Sequence, residues 1–100
     1  MQLTNQRKKA LRTLGHHLNP IITIAEKGVT ENIDAELERA LNDHELIKIK
    51  IAVGDPSYRK ALAEEICKNH QAALVQSIGK VALILREAKE PNIKLSNLHR

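Results

Sequence analysis

Ile21-Ile22-Thr23-Ile24-Ala25-Glu26-Lys27-Gly28-Val29-Thr30 is the stretch from which the fold is read. Its first half is β-branched and reads as a buried strand. Gly28 supplies a backbone position without Cβ, where the chain can turn tightly or let a ligand come close. Thr30 suits the N-cap of a following helix, with Glu31 in its first turn. A strand, a loop holding a lysine and a glycine, and a helix start together resemble an anion site. The first-turn N–H groups are unpaired there, and the helix dipole is positive. Many β-to-α turns carry glycine for geometry alone, and Glu26 and Glu31 oppose an anion. The loop is therefore both a candidate site and a candidate connector.

Upstream, Leu3, Arg7, Leu11 and Leu14 keep a helical spacing after a Thr4 cap, and Gly15 is a natural stop. Arg7, Lys8, Lys9 and Arg12 cluster on this helix, and Lys8 and Arg12, four apart, share a face. His16 to Asn19 form a connector that Pro20 closes before the strand. Downstream, a second helix is predicted from about Glu31 to Asp43, with Ile33, Leu37, Ala40 and Leu41 as its apolar stripe and an acidic exposed face. Leu46 to Val53 then alternates cleanly. Ile47, Ile49 and Ile51 fall on one face, and Lys48 and Lys50 on the other, which is the period of a half-buried strand. The lysine face either deters edge aggregation or binds a partner.

Asp55 as N-cap and Pro56 at the first helical position open a third helix, with Tyr58, Ala61, Leu62 and Ile66 as its core stripe and Asn69 or His70 at its end. Leu74 to Ile78 and Val81 to Arg86 read as strands joined by Gly79-Lys80, and glycine in the first turn position suits type II′. After Glu87 the chain becomes polar and Pro91 interrupts it, so Ala88 to Arg100 is expected to have little fixed structure. One domain is thus predicted over residues 1–86, with a polar C-terminal tail over 87–100. The element order is α-β-α-β-α-β-β. Right-handed crossovers make the first three strands parallel, and the hairpin adds one antiparallel strand. The predicted class is α/β, a two-layer sandwich with a mixed four-stranded sheet.

Of 100 residues, 42% are hydrophobic, and Tyr58 is the sole aromatic residue, so the core is aliphatic and no row of stacking rings exists. Cys67 is the one cysteine, which excludes an intramolecular disulfide and makes a cytoplasmic setting the expectation. No apolar run approaches membrane-spanning length and no apolar signal segment opens the chain, so no membrane partner is expected. The net charge of +4 is unevenly spread: +4 over residues 1–30, −5 over 31–47 and +5 over 48–100. Such polarity favours an anionic partner approaching from one side.

Chemistry is sparse. Cys67 and His70 stand three apart on a helix, but two candidate ligands do not make a metal site, and a buried structural cysteine is expected. His16, His17, His44 and His99 form no evident cluster. His44 and Glu45 are not read as an acid–base pair, because neighbours in a strand point to opposite faces. No nucleotide or nucleophile fingerprint is present. No enzyme activity, cofactor, metal or small-molecule substrate is expected.

Several stretches together resemble one family. Leu11-Arg12-Thr13-Leu14-Gly15-His16, Gly28-Val29-Thr30-Glu31, His44-Glu45-Leu46-Ile47-Lys48-Ile49-Lys50, Ile78-Gly79-Lys80 and Leu85-Arg86 look like the CRM domain, the chloroplast RNA splicing and ribosome maturation module, in its stand-alone bacterial YhbY form. The similarity runs over roughly residues 3–86, and His-Glu-Leu-Ile-Lys is its most specific block. The resemblance implies an RNA-binding module with a fold like the C-terminal domain of translation initiation factor three, preceded by an extra helix. It implies a role with precursors of the large ribosomal subunit. Family RNA contacts are attributed to a Gly-x-x-Gly loop and neighbouring basic residues. Here the loop maps to Ala25-Glu26-Lys27-Gly28, with alanine in place of the first glycine.

The expected function is non-enzymatic binding of ribosomal RNA during large-subunit assembly. The expected surface joins Arg7, Lys8 and Arg12 of the first helix, the Lys27-Gly28 loop, Lys48, Lys50 and Lys80. With one aromatic residue, recognition is expected through phosphates and shape. The alternative is a protein-docking module whose acidic second helix meets a basic ribosomal protein.

Overall fold

The computed structural model describes residues 3–99. Its elements are α1 (Asn5–Gly15), β1 (Pro20–Ile24), α2 (Glu31–His44), β2 (Leu46–Ile51), α3 (Pro56–Asn69), β3 (Ala73–Ile78) and β4 (Val81–Leu85). The predicted order and the α/β class hold, with element ends within about two residues. The caps hold too. Thr4, Thr30 and Asp55 accept from the backbone N–H groups of Arg7, Ile33 and Ser57, and each closes off one orphan donor of its helix.

The strands lie in the order β1-β2-β4-β3. β1 and β2 are parallel, while β4 runs antiparallel to both of its neighbours. The hairpin thus folds its last strand back into the slot between β2 and β3. Gly79 has φ 55 and Lys80 is not left-handed, which is the backbone pattern of a type II′ turn.

β4 occupies a central position and is apolar throughout. Ala82 and Ile84 join one core cluster, and Leu83 and Leu85 join another. The first cluster lies under α2 and α3, where Leu37, Leu41, Leu62 and Ile66 meet Ile22, Ile24, Ile47, Ile49 and Ile51. Each such side chain contributes about 1.5–3 kcal/mol when fully buried. The second lies on the opposite face, where α1 lays Leu11 against Leu46, Val75, Leu83 and Leu85. The alternation read in β2 is therefore real, and its polar face is only partly covered: α1 shields Leu46 but leaves Lys50 exposed and Lys48 half-buried.

Three expectations are corrected. Tyr58 is 44% exposed and Ala61 is exposed, because α3 turns Leu62, Ala63, Ile66 and Cys67 inward instead. Gly15 does end α1, as expected, but not through a left-handed conformation, so what changes is the reason for glycine there. It is the last residue of α1, buried, and a Cβ there would stand 2.7 Å from Leu83 Cδ2, so glycine is needed for close approach to the sheet. The C-terminal segment has no helix or strand, yet its described part is fixed in place; Arg100 lies outside the described residues. Ser96 and Asn97 are buried, and Leu98 packs against the second cluster. Ser96 Oγ donates to Glu45 Oε1 (2.8 Å), Asn97 Nδ2 donates to the Leu46 carbonyl (2.7 Å) and the Asn97 N–H donates to the His44 carbonyl (2.9 Å). Polar composition did not mean disorder, because these polar groups satisfy buried backbone and carboxylate positions at the α2–β2 junction.

Candidate nucleic-acid interface

Parallel strands and their crossovers bring the β1–α2 loop, the β2–α3 loop and the β3–β4 turn to one end of the sheet, the carboxyl end of β1, β2 and β3. The three segments are tied together. Gly54 N–H donates to Glu26 Oε1 (3.3 Å), and Ile51 N–H donates to the Lys80 carbonyl (2.6 Å). The Arg59 guanidinium donates to the carbonyls of Val53 (2.7 Å), Gly54 (3.0 Å) and Gly79 (3.2 Å). Arg59 was not legible as a site residue, since its role depends on two loops meeting.

Within the first loop, the Gly28 N–H closes a turn on the Ala25 carbonyl at 2.9 Å. Gly28 has φ +83, a left-handed conformation that favours glycine, and it is buried. Ala25 is not left-handed, so alanine at the first loop position meets no backbone penalty. Lys27 is exposed. It and Gly28 line a groove between α2 and α3 that also holds Tyr58, Asp34 and Glu65.

Lys48 and Lys50 lie on the other face of the sheet. Lys50 stands across from Thr23 on β1 and Val81 on β4, and Lys48 from Pro20 and Leu83. Lys48 borders a depression of about 270 Å³ with His16, Gln76, Ile78 and Val81. Lys8, Arg12 and His16 recur at four-residue intervals, so they share one side of α1 as it runs onto the sheet. His16, at the end of that side of α1, meets Lys48 at this depression, Lys50 lies two residues further along β2, and Lys80 lies in the β3–β4 turn. Arg7 is exposed on the same helix. His16 is a member that sequence reading left in a connector, although its spacing from Lys8 and Arg12 signals it.

The structure therefore sets α1, with Lys8 and Arg12, on the same side of the sheet as Lys48 and Lys50, and sets Lys27 and Gly28 on a separate groove. Among the described residues, none of these cations is held in an ion pair; the ion pairs involve His70, Arg86 and His99. Other titratable groups serve the fold. His70, buried, places Nδ1 2.5 Å from Glu38 Oε2 and Nε2 2.9 Å from Asp34 Oδ1. Arg86 Nη1 reaches the same Glu38 oxygen at 2.8 Å. The hydrogen bonds from His70 and Arg86 hold the Glu38 carboxyl below its ordinary value of 4.5. Burial, with Glu64 second, pushes the Cys67 thiol up to about 11, which leaves it an inert core residue as expected.

Residues 3–86 match the family model described as the CRS1 / YhbY (CRM) domain. A Pseudomonas aeruginosa protein named "Probable RNA-binding protein PA4753" is 52% identical over 100 residues, covering 100% of this chain and 96% of that one. A Haemophilus influenzae protein named "RNA-binding protein" is 40% identical over 93 residues, covering 93% of this chain and 94% of its own length. The solution structure of SAV1595 from Staphylococcus aureus superposes with a TM-score of 0.79 at 35% identity, covering 94% of this chain and 97% of that one.

Proposed function

The chain belongs to the CRS1/YhbY (CRM) domain family, and from that premise we propose that it is a non-enzymatic, cytoplasmic RNA-binding protein that binds ribosomal RNA during assembly of the large ribosomal subunit. The observation that carries the reading is the set of cations on one side of the sheet, Lys8 and Arg12 on α1 and Lys48 and Lys50 on β2, none of them in an ion pair among the described residues. A phosphate backbone is an extended line of charge, and several cations on one side of the sheet complement it. The relatives' names support RNA as the partner class. The resemblance to the stand-alone bacterial form supports the ribosomal setting. The protein-docking alternative is weakened at α2, where Asp34 and Glu38 are already engaged by His70 and Arg86.

The test is a binding titration against protein-free large-subunit RNA over a range of salt. With Z phosphates contacted, log K falls with log salt at roughly −0.7Z to −0.9Z, and these cations support Z of about four to six. Lys48→Ala with Lys50→Ala reduces both affinity and slope at only a small cost in stability, since Lys50 is exposed and Lys48 buries only part of its aliphatic stem. Affinity independent of salt overturns the phosphate reading. Equal affinity for unrelated RNA of the same length overturns the ribosomal one.

A further inference from the structure

We propose that the groove between α2 and α3, beside the Lys27–Gly28 turn, binds one unpaired RNA base, with Tyr58 as the stacking surface and Glu65 and Asp34 selecting guanine. The proposal rests on the RNA-binding reading above and adds base recognition to it. The groove measures about 340 Å³, room for a single base and not for a duplex. Leu62 and Ile66 of the core underlie it, and most of its accessible surface is polar. A flat heterocycle with hydrogen-bonding edges needs that combination.

Tyr58 is the decisive wall. It is the chain's sole aromatic residue, yet it is 44% exposed, and among the described residues its hydroxyl makes no hydrogen bond. Its Oη lies 3.7 Å from where a Cβ on Gly28 would stand, so its hydroxyl end reaches the turn. A single ring suffices for a single base. The lack of a stacking row rules out a base-by-base platform and leaves this one position open.

The rim chemistry argues against a phosphate inside the groove. Asp34 on one wall and Glu65 on the other repel anions. Carboxylate oxygens only accept hydrogen bonds, so they favour a base edge rich in donors. Guanine presents N1–H and N2–H₂ side by side on its Watson–Crick edge. Uracil sets its N3–H between two carbonyl oxygens, and adenine and cytosine each place an acceptor nitrogen beside the amine. Asp34 Oδ1 is held by His70 at 2.9 Å, whereas Glu65 has no ion pair or side-chain hydrogen bond among the described residues, which makes it the freer acceptor. Lys27 at the mouth is placed to meet the phosphate of the same nucleotide.

The experiment measures binding of the full chain to RNA hairpins that differ only in one unpaired nucleotide, G, A, C or U, or in having none. The G hairpin is expected to bind several-fold more tightly than the others. Tyr58→Ala weakens it on the order of tenfold, the loss of one stacked base, while Tyr58→Phe keeps the ring and the affinity. Glu65→Gln narrows the preference for G. Thermal melts of each variant confirm the fold, which an exposed ring does not hold together. Equal binding of all hairpins with Tyr58→Ala like the parent overturns the groove proposal and leaves salt-dependent RNA binding standing. A preference for another base overturns the guanine assignment. Absence of binding to any RNA overturns this proposal together with the reading on which it rests.

Discussion

Gly15 and Gly28 show two different demands for a missing side chain. Gly15 is helical, and its lack of Cβ lets α1 approach Leu83. Gly28 has open space, since a Cβ would meet only Tyr58 Oη at ordinary van der Waals distance, but its φ of +83 lies in the left-handed region that favours glycine. Gly15→Ala is therefore expected to act by overpacking, at about 1–3 kcal/mol. Gly28→Ala acts by backbone strain, at about 1–2 kcal/mol. Urea unfolding of both variants checks the magnitudes. The distinction lies in a double-mutant cycle: Leu83→Ala costs core packing by itself, but it costs less in the Gly15→Ala background, where it also relieves the clash, and its cost is unchanged beside Gly28→Ala. Glu45 is a third residue under backbone constraint. It has φ 63 and ψ −50, and is tolerated because its carboxylate accepts from Ser96 and from the Ala88 N–H while its own N–H reaches the Leu41 carbonyl.

At the scale of elements, α2, α3 and β4 are locked at one end of the sheet by Glu38, His70 and Arg86. Hydrogen bonds from His70 and then Arg86 depress the Glu38 pKa. A carboxyl depressed by folding contributes stability above its unfolded value, near 4.5, and loses that contribution as pH falls through its folded value. The expected outcome is that Glu38→Gln lowers the urea midpoint at pH 7 and that parent and variant draw together as the pH falls below 4.5 and through the folded-state value. A difference that does not narrow anywhere below pH 4.5 shows that Glu38 acts through packing alone. Glu38 is half exposed, so solvent screening keeps the effect modest. None of this lies among the basic residues of α1 and β2 or in the turn, so RNA affinity at neutral pH should change little for a folded variant.

For the whole molecule, the Cα radius of gyration is 12.7 Å, close to the roughly 13 Å expected of a compact chain this long, which requires the C-terminal segment to fold back. That segment closes the second core cluster with Leu98 and supplies the partners of the buried Glu45 carboxylate. Ending the chain at Lys94 leaves that carboxylate short of a donor and opens part of the cluster, a loss of about 2–4 kcal/mol. For a domain of this size, a loss of that order lowers Tm by roughly 10–20 °C. Calorimetry of the shortened chain measures it, and an unchanged Tm would return the segment to the status of a loose tail.

The element order, the helix caps, the alternation of β2 and the hairpin turn were legible because each rests on neighbours a few residues apart: a hydroxyl three residues before an N–H, a period of two, a glycine with positive φ. The cationic residues and the special role of Gly28 were legible for the same reason. Other features depend on distant segments meeting. Sequence spacing put Tyr58 in the α3 stripe, but the direction in which α3 docks turned it out toward the groove. Composition made the C-terminal segment look loose, but Glu45 and Leu46, some fifty residues earlier, hold it. The slot taken by β4, the joining of His16 to Lys48, and the separation of Lys27 from the lysines of β2 were likewise settled by tertiary packing. Local hydrogen-bonding and periodic burial act along the chain and can be read there, whereas the facing of one element against another is set by how their apolar surfaces fit.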